Sequence, residues 1–255
     1  MKNILKILIT ILLFTSTTLF AKSGLEIGIF VPIGMSVGIN SHPERPTNMN
    51  QNTYDNYISN NTRNTFVGFE TGALVQIGYK LDINRTSSFS FLAELGYSRD
   101  TFNYKLKDTE TNSQAIRMEN YRNYTFDSFL IGVLPKFNYK RFSIGIGAGV
   151  KIALAGTINN SSYNSLLGYS TEKLQIINTK NYKDYFNSNI IPYIKLAVDY
   201  SIYTSPKFDF VLGGYIAYDF PLTYTPKNAD LTKIVPDKIS SFDIGFNIGV
   251  KIRPL

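Results

Sequence analysis

From Leu25 to Asn40 every odd position is apolar (Leu25, Ile27, Ile29, Val31, Ile33, Met35, Val37, Ile39), while the even positions read Glu26, Gly28, Phe30, Pro32, Gly34, Ser36, Gly38 and Asn40. Side chains of a strand point to opposite faces in turn, so a period of two predicts a ribbon with one hydrocarbon face. The alternation recurs in residues 65–81, 88–98, 128–138, 141–154, 189–203, 208–220 and 241–253. In 141–154 the stripe is Phe142, Ile144, Ile146, Ala148, Val150, Ile152 and Leu154, set against Ser143, Gly145, Gly147, Gly149 and Lys151. Eight strands are predicted.

Their connections alternate in length. Short links, Asp82–Ser87, Tyr139–Lys140 and Thr204–Lys207, follow the second, fourth and sixth strands. Polar segments of roughly 41–64, 107–122, 159–187 and 222–238 follow the others. In an antiparallel meander this puts every tight turn at one end and every long loop at the other. The predicted fold class is therefore all-β, an up-and-down antiparallel barrel.

The direction of the greasy face decides the solvent. A soluble barrel points it inward and covers its outside with Lys, Glu, Thr and Gln. Here the opposite parity is crowded with glycine, which suits the narrow interior of eight strands. Aromatics on the apolar parity gather at strand ends: Tyr79, Phe89, Phe137, Phe142, Tyr200 and Phe208 by the short turns, Tyr97, Tyr218 and Phe242 toward the long loops. Two such belts are what bilayer interfaces select. Each segment is also long enough to cross, since roughly 9–11 tilted residues suffice. The expectation is a transmembrane barrel with short periplasmic turns and long extracellular loops, its greasy face toward lipid.

Two local irregularities are expected. Pro32 removes a ladder donor inside the first strand and predicts a bulge there; Pro135 and Pro192 raise the same issue nearer strand ends. Beyond Arg99 the apolar positions become even (Phe102, Tyr104, Leu106), and before Ser128 they are even again (Tyr124, Phe126). That matched shift predicts bulges and a hairpin continuing above the bilayer, or else an aromatic loop without regular structure.

Composition sharpens the compartment. The chain starts MKNILKILIT, runs apolar from Ile7 to Phe14 and reaches small residues before Ala21, which reads as a secretory signal over 1–21 with the barrel domain in 22–255. The formal charge of +7 falls by two when Lys2 and Lys6 leave, and the remaining basic residues are scattered, so no nucleic-acid partner is expected. Cysteine is absent, which excludes disulfides and thiolate metal sites.

The polar parity carries Glu26, Glu70, Lys80, Glu94, Lys136, Lys151, Lys195, Asp199, Asp209, Asp243 and Lys251. Charges enclosed in a narrow barrel must be paired or hydrated. They are expected to form a lumen network, either structural or lining a pore, with Glu26 and Lys251 facing each other across the seam between first and last strands. No catalytic, metal or cofactor site is expected. The single histidine, His42, has only Ser41 and Glu44 beside it, a local coincidence rather than a constellation. The long segments, such as NYKDYFNSN (181–189) and SSYNSLLGYS (161–170), are rich in residues suited to adaptable contact.

Eight strands, short turns and a signal segment together resemble the small outer-membrane barrels of the OmpA transmembrane-domain, OmpX and OmpW type. Asp243-x-Gly245-x-x-Ile248-x-Val250 loosely follows that group's C-terminal assembly pattern, but the chain ends Arg253-Pro254-Leu255 rather than on an aromatic. The resemblance implies residence in the outer membrane, bilayer lipid and the barrel-assembly machinery as partners, a monomer, and a structural or surface-contact role toward a host or other extracellular ligand. A narrow ion or small-solute channel is the first alternative. A membrane-embedded hydrolase or acyltransferase is the second. A cell-wall anchoring domain is not expected.

Overall fold

The computed structural model describes residues 24–41, 45–60, 63–106, 109–111, 116–164, 168–178, 180–205, 207–224 and 237–252. The proposed signal segment, His42, Glu44 and the last three residues lie outside them. The elements in chain order are β1 (Gly24–Ser41), α1 (Gln51–Asn60), β2 (Arg63–Asp82), β3 (Ser87–Leu106), β4 (Thr109–Thr111), β5 (Ile116–Tyr139), β6 (Phe142–Asn164), β7 (Gly168–Asn178), β8 (Ile190–Thr204), β9 (Phe208–Tyr224) and β10 (Asp237–Ile252). Eight strands close on themselves in the order β5-β3-β2-β1-β10-β9-β8-β6, with β6 pairing back onto β5, all antiparallel. Closure leaves no barrel edge and pairs the backbone internally, the condition hydrocarbon imposes on any spanning sheet.

Local chemistry makes the short links. In the β2–β3 turn the Asn84 carboxamide oxygen accepts from the backbone amides of Thr86 at 2.9 Å and Ser87 at 2.8 Å. Lys140 takes a left-handed φ of 53° in the two-residue β5–β6 turn. Ser205 Oγ accepts from the Phe208 amide at 3.0 Å to open β9. At the opposite end α1, a mostly polar helix whose Tyr54, Tyr57 and Ile58 fall at i, i+3 and i+4, begins under Asn50, whose Oδ1 accepts from the Thr53 amide at 2.7 Å. That apolar spacing lasts a single turn inside a polar segment, which is why the strand pattern passes over it.

The barrel is built inside out relative to a soluble protein. Ile146 is 70% exposed and Phe246 67%, whereas Glu94, Asp219 and Asp243 are fully enclosed. Only a surrounding hydrocarbon phase makes that arrangement favourable, and the chain has the fold of a small eight-stranded outer-membrane barrel. Glycine opens room inside. An added Cβ at Gly149 would meet the Ile131 carbonyl oxygen at 2.3 Å and the Tyr193 ring at 2.8 Å. Gly149→Ala is therefore expected to destabilise the barrel by about 1–3 kcal/mol through overpacking, read from urea unfolding in lipid vesicles.

Two expectations are corrected. Pro32 makes no bulge: β1 keeps one register against β10 throughout, and against β2 the pairs Phe30↔Leu74 and Ile33↔Thr71 share one register. The ladder simply skips the proline, and Thr71 Oγ1 donates to its carbonyl at 3.2 Å. Nor do β3 and β5 shift phase. Their pairing is unbroken from Ser87↔Tyr139 to Lys105↔Tyr121, and Phe102, Tyr104, Tyr124 and Phe126 stay on the inward face. What changes along these strands is the chemistry of the lumen, from polar to aromatic. The reorientation sits on β6 instead, where Asp127 faces Ala155 and Ser128 faces Ala153, leaving Leu154 bulged out. Over its described residues the hairpin is strand, as β3, β5 and β6 all run past the length a bilayer requires.

Candidate functional site: the filled lumen and the long-loop extension

Side chains on the inward parity of eight strands converge in layers. Nearest the short turns, Lys136 Nζ lies 2.6 Å from Asp199 Oδ2, and Lys251 Nζ lies 3.4 Å from the same oxygen. Lys251 also reaches Glu26, at the longer distance of 4.0 Å, while Ser90 Oγ donates to Glu26 at 2.9 Å. The chain of contacts continues upward. Lys136 donates to Gln76 Oε1 at 3.0 Å, Gln76 donates to Glu94 Oε1 at 2.8 Å, and Lys195 holds Glu94 at 2.7 Å. Three ammonium groups thus meet three carboxylates.

Above them lies a different stoichiometry. Lys151 from β6 sits among four acids from four other strands: Asp219 at 2.8 Å, Asp100 at 3.0 Å, and Glu70 and Asp243 each at 3.7 Å. Tyr215 donates its hydroxyl to Glu70 at 2.6 Å. Asp243 faces the hydroxyls of Ser36 and Ser241, and one oxygen each of Asp100 and Asp219 has no hydrogen-bond partner among the described residues. This cage is short of positive charge, and Lys151 is its single cation among the described residues.

The third layer is apolar. Phe102, Tyr104, Tyr124 and Phe126 from β3 and β5 pack with Ile158, Ile191, Leu222 and Ile239, and Tyr182 and Phe186 descend onto them from the segment between β7 and β8. Ring centroids of Phe126 and Phe186 are 5.4 Å apart, of Phe102 and Phe126 5.5 Å, of Tyr182 and Phe186 4.9 Å. A short 3-10 turn over Tyr182–Asp184 and a bond from the Asn187 amide to the Thr223 carbonyl at 3.1 Å hold that segment in place. Burial pushes the Tyr182 hydroxyl above its ordinary titration range. A cavity of about 20 Å³ inside the barrel borders Glu70, Lys151, Lys195, Tyr193, Tyr215 and Asn247.

Ten of the eleven residues expected in the lumen network, Glu26, Glu70, Glu94, Lys136, Lys151, Lys195, Asp199, Asp209, Asp243 and Lys251, lie buried in the barrel. Lys80 stands apart. At the short-turn rim it pairs with Asp82 at 3.0 Å, and both remain about a quarter exposed, because water reaches the strand end. Asp100 and Asp219, two closest partners of Lys151, went unread in the sequence although both lie on the inward parity. Asp100 follows Arg99, beyond which the apolar positions become even and the facing of the strand reads as reversed. Arg99 lies on the outer face, as its odd position implies, with Asp127 at 3.3 Å, and Tyr97 donates its hydroxyl to the same carboxylate.

At the long-loop end β3, β5 and β6 continue as paired strands, with β4 added on β5 and β7 on β6 along Ala155↔Asn178 to Asn164↔Gly168. The result is a sheet standing beyond the bilayer.

No protein-family model matches the chain, and no curated protein does. Among solved structures it is similar to the Neisserial surface protein A, at 13% identity over 89% of this chain and 97% of that one, with a TM-score of 0.34. It is also similar to the outer membrane protease OmpT of Escherichia coli, at 8% identity over 91% and 96%, with a TM-score of 0.37. A third is Ail, the attachment invasion locus protein of Yersinia pestis, at 11% identity over 89% and 99%, with a TM-score of 0.29.

Proposed function

We propose that the chain resides in the outer membrane as a non-conducting monomer and works at the cell surface through the sheet at its long-loop end. The observation carrying this reading is the occupied lumen. Balanced ion pairs, the Lys151 cage and the aromatic layer follow one another along the axis, and a cavity of about 20 Å³ has room for about one water. A barrel filled in this way offers its surroundings two surfaces, a hydrocarbon coat and an outward sheet. The second is the one able to recognise a partner, a host surface or another extracellular ligand. Its strands and links are rich in tyrosine, asparagine and serine, amphipathic and adaptable contact residues. Export through cleavage of residues 1–21 and insertion by the barrel-assembly machinery belong to the same reading.

The test has two arms. The purified protein in planar bilayers is expected to show no steady openings, and cells displaying it are expected to adhere to host-cell monolayers more than cells whose residues 105–121 are replaced by a two-residue turn. Steady openings abolished by Lys151→Ala or Glu94→Ala would favour a narrow channel instead. Equal adherence by the shortened form would remove the contact role. The proposed role is non-enzymatic, and lipid or peptide turnover lost in His42→Ala would overturn that part.

A further inference from the structure

Among the described residues, one glycine lies on the lipid-facing parity of the barrel strands: Gly214 of β9, between the exposed Leu212 and Ile216. The other glycines of the eight barrel strands, apart from Gly24 at the start of β1, have an internal reason. An added Cβ at any of them would come within 3.1 Å of a ring, a carbonyl oxygen or a neighbouring side chain. At Gly214 the nearest atom is the Gly245 carbonyl oxygen at 3.7 Å, an ordinary contact, and the backbone is not left-handed. Glycine weakens a strand interior and marks places where something else approaches closely. Nothing inside the protein approaches here, so the missing side chain serves the outside.

Its absence leaves a groove of about 390 Å³ walled by Met35, Leu196, Val198, Ile216, Ile244 and Phe246. Gly214 is equally far along β9 from Phe208 and Phe220, so the groove sits at mid-height, where hydrocarbon is the medium. The walls come from four adjacent strands, β8, β9, β10 and β1, which at about 4.8 Å between neighbours makes the trench roughly 14 Å across. We propose that this trench seats one acyl chain of a membrane lipid. Burying apolar surface from lipid yields no hydrophobic gain. A chain is retained there by dispersion contacts, which a walled trench multiplies over those of a flat face. A run of methylenes fits a trench spanning four strands, whereas a single side chain from a second copy would fill only one point of it.

The test uses the full barrel in vesicles containing a phosphatidylcholine with a diazirine at mid-chain, photolysed and mapped by peptide. Labelling of β8, β9 and β10 is expected to exceed that of β3 by about fivefold, the effect of a modest packing preference. Gly214→Leu, which enters open space, is expected to bring it down to the β3 level, and Phe246→Ala, which removes a wall, to lower it as well. Ala148→Leu, on the lipid face of β6, should leave it unchanged. Folding of each variant is checked by its mobility on unheated gels. Even labelling around the barrel, or labelling indifferent to both Gly214→Leu and Phe246→Ala, would overturn the proposal. So would protein–protein crosslinks that vanish in Gly214→Leu, which would assign the trench to a second copy.

Discussion

Lys151→Met is expected to destabilise the barrel by about 3–5 kcal/mol, the cost of leaving buried carboxylates without their counter-ion. The size follows from the cage. Asp219, Asp100, Glu70 and Asp243 all turn on one ammonium within 3.7 Å. The matching change below is expected to cost less. Glu94, deprived of Lys195, keeps its bonds from Gln76 at 2.8 Å and Tyr193 at 3.4 Å. Urea unfolding in vesicles measures both variants. Because the fault is excess negative charge, Asp219→Asn and Asp243→Asn added to Lys151→Met should restore stability rather than remove more. If the triple variant is weaker than Lys151→Met alone, the cage is not held by charge balance.

Ile146→Arg and Leu212→Arg are each expected to cost about 2–4 kcal/mol in a bilayer, while Tyr203→Arg, at the short-turn rim, should cost only about 0–1. All three positions are open to the surroundings, at 70%, 43% and 53% exposure. In water, three exposed sites would accept arginine almost equally. In lipid the cost depends on depth, because a guanidinium near mid-height cannot reach the headgroups. Equal and negligible effects at the three sites would mean that water, not hydrocarbon, covers this face, and the surface role would fall with it.

Much of this architecture is legible in the chain because alternation is local. Residues two apart share a face whatever the rest of the molecule does, so Ile144, Ile146 and Ala148 declare one face and Gly145, Gly147 and Gly149 the other. The alternating short and long links then order the strands. Legibility fails where one parity carries mixed chemistry. Phe102 and Tyr104 keep the facing of Glu94 and Asp100, yet they read as a reversal, because an aromatic residue at the lumen's end looks the same in sequence as one in lipid. The helix α1 carries only one turn of helical spacing within a polar segment, and the bulge at Leu154 carries no periodic signature.

The eight strands that close the barrel, the parity turned to lipid and the identity of most enclosed charges were set by the sequence alone, since each depends on neighbours within a few positions, whereas β4, β7 and the extensions of β5 and β6 lie in segments that read as polar connections. Which charges meet was decided only by closure. Lys151 finds Asp100 across 51 residues and Asp219 across 68, and no local pattern encodes contacts made through the middle of a ring. Closure also separates the glycines that rings and carbonyls require from Gly214, which they do not. Side-chain direction is a property of the ribbon, whereas side-chain partnership is a property of the closed barrel.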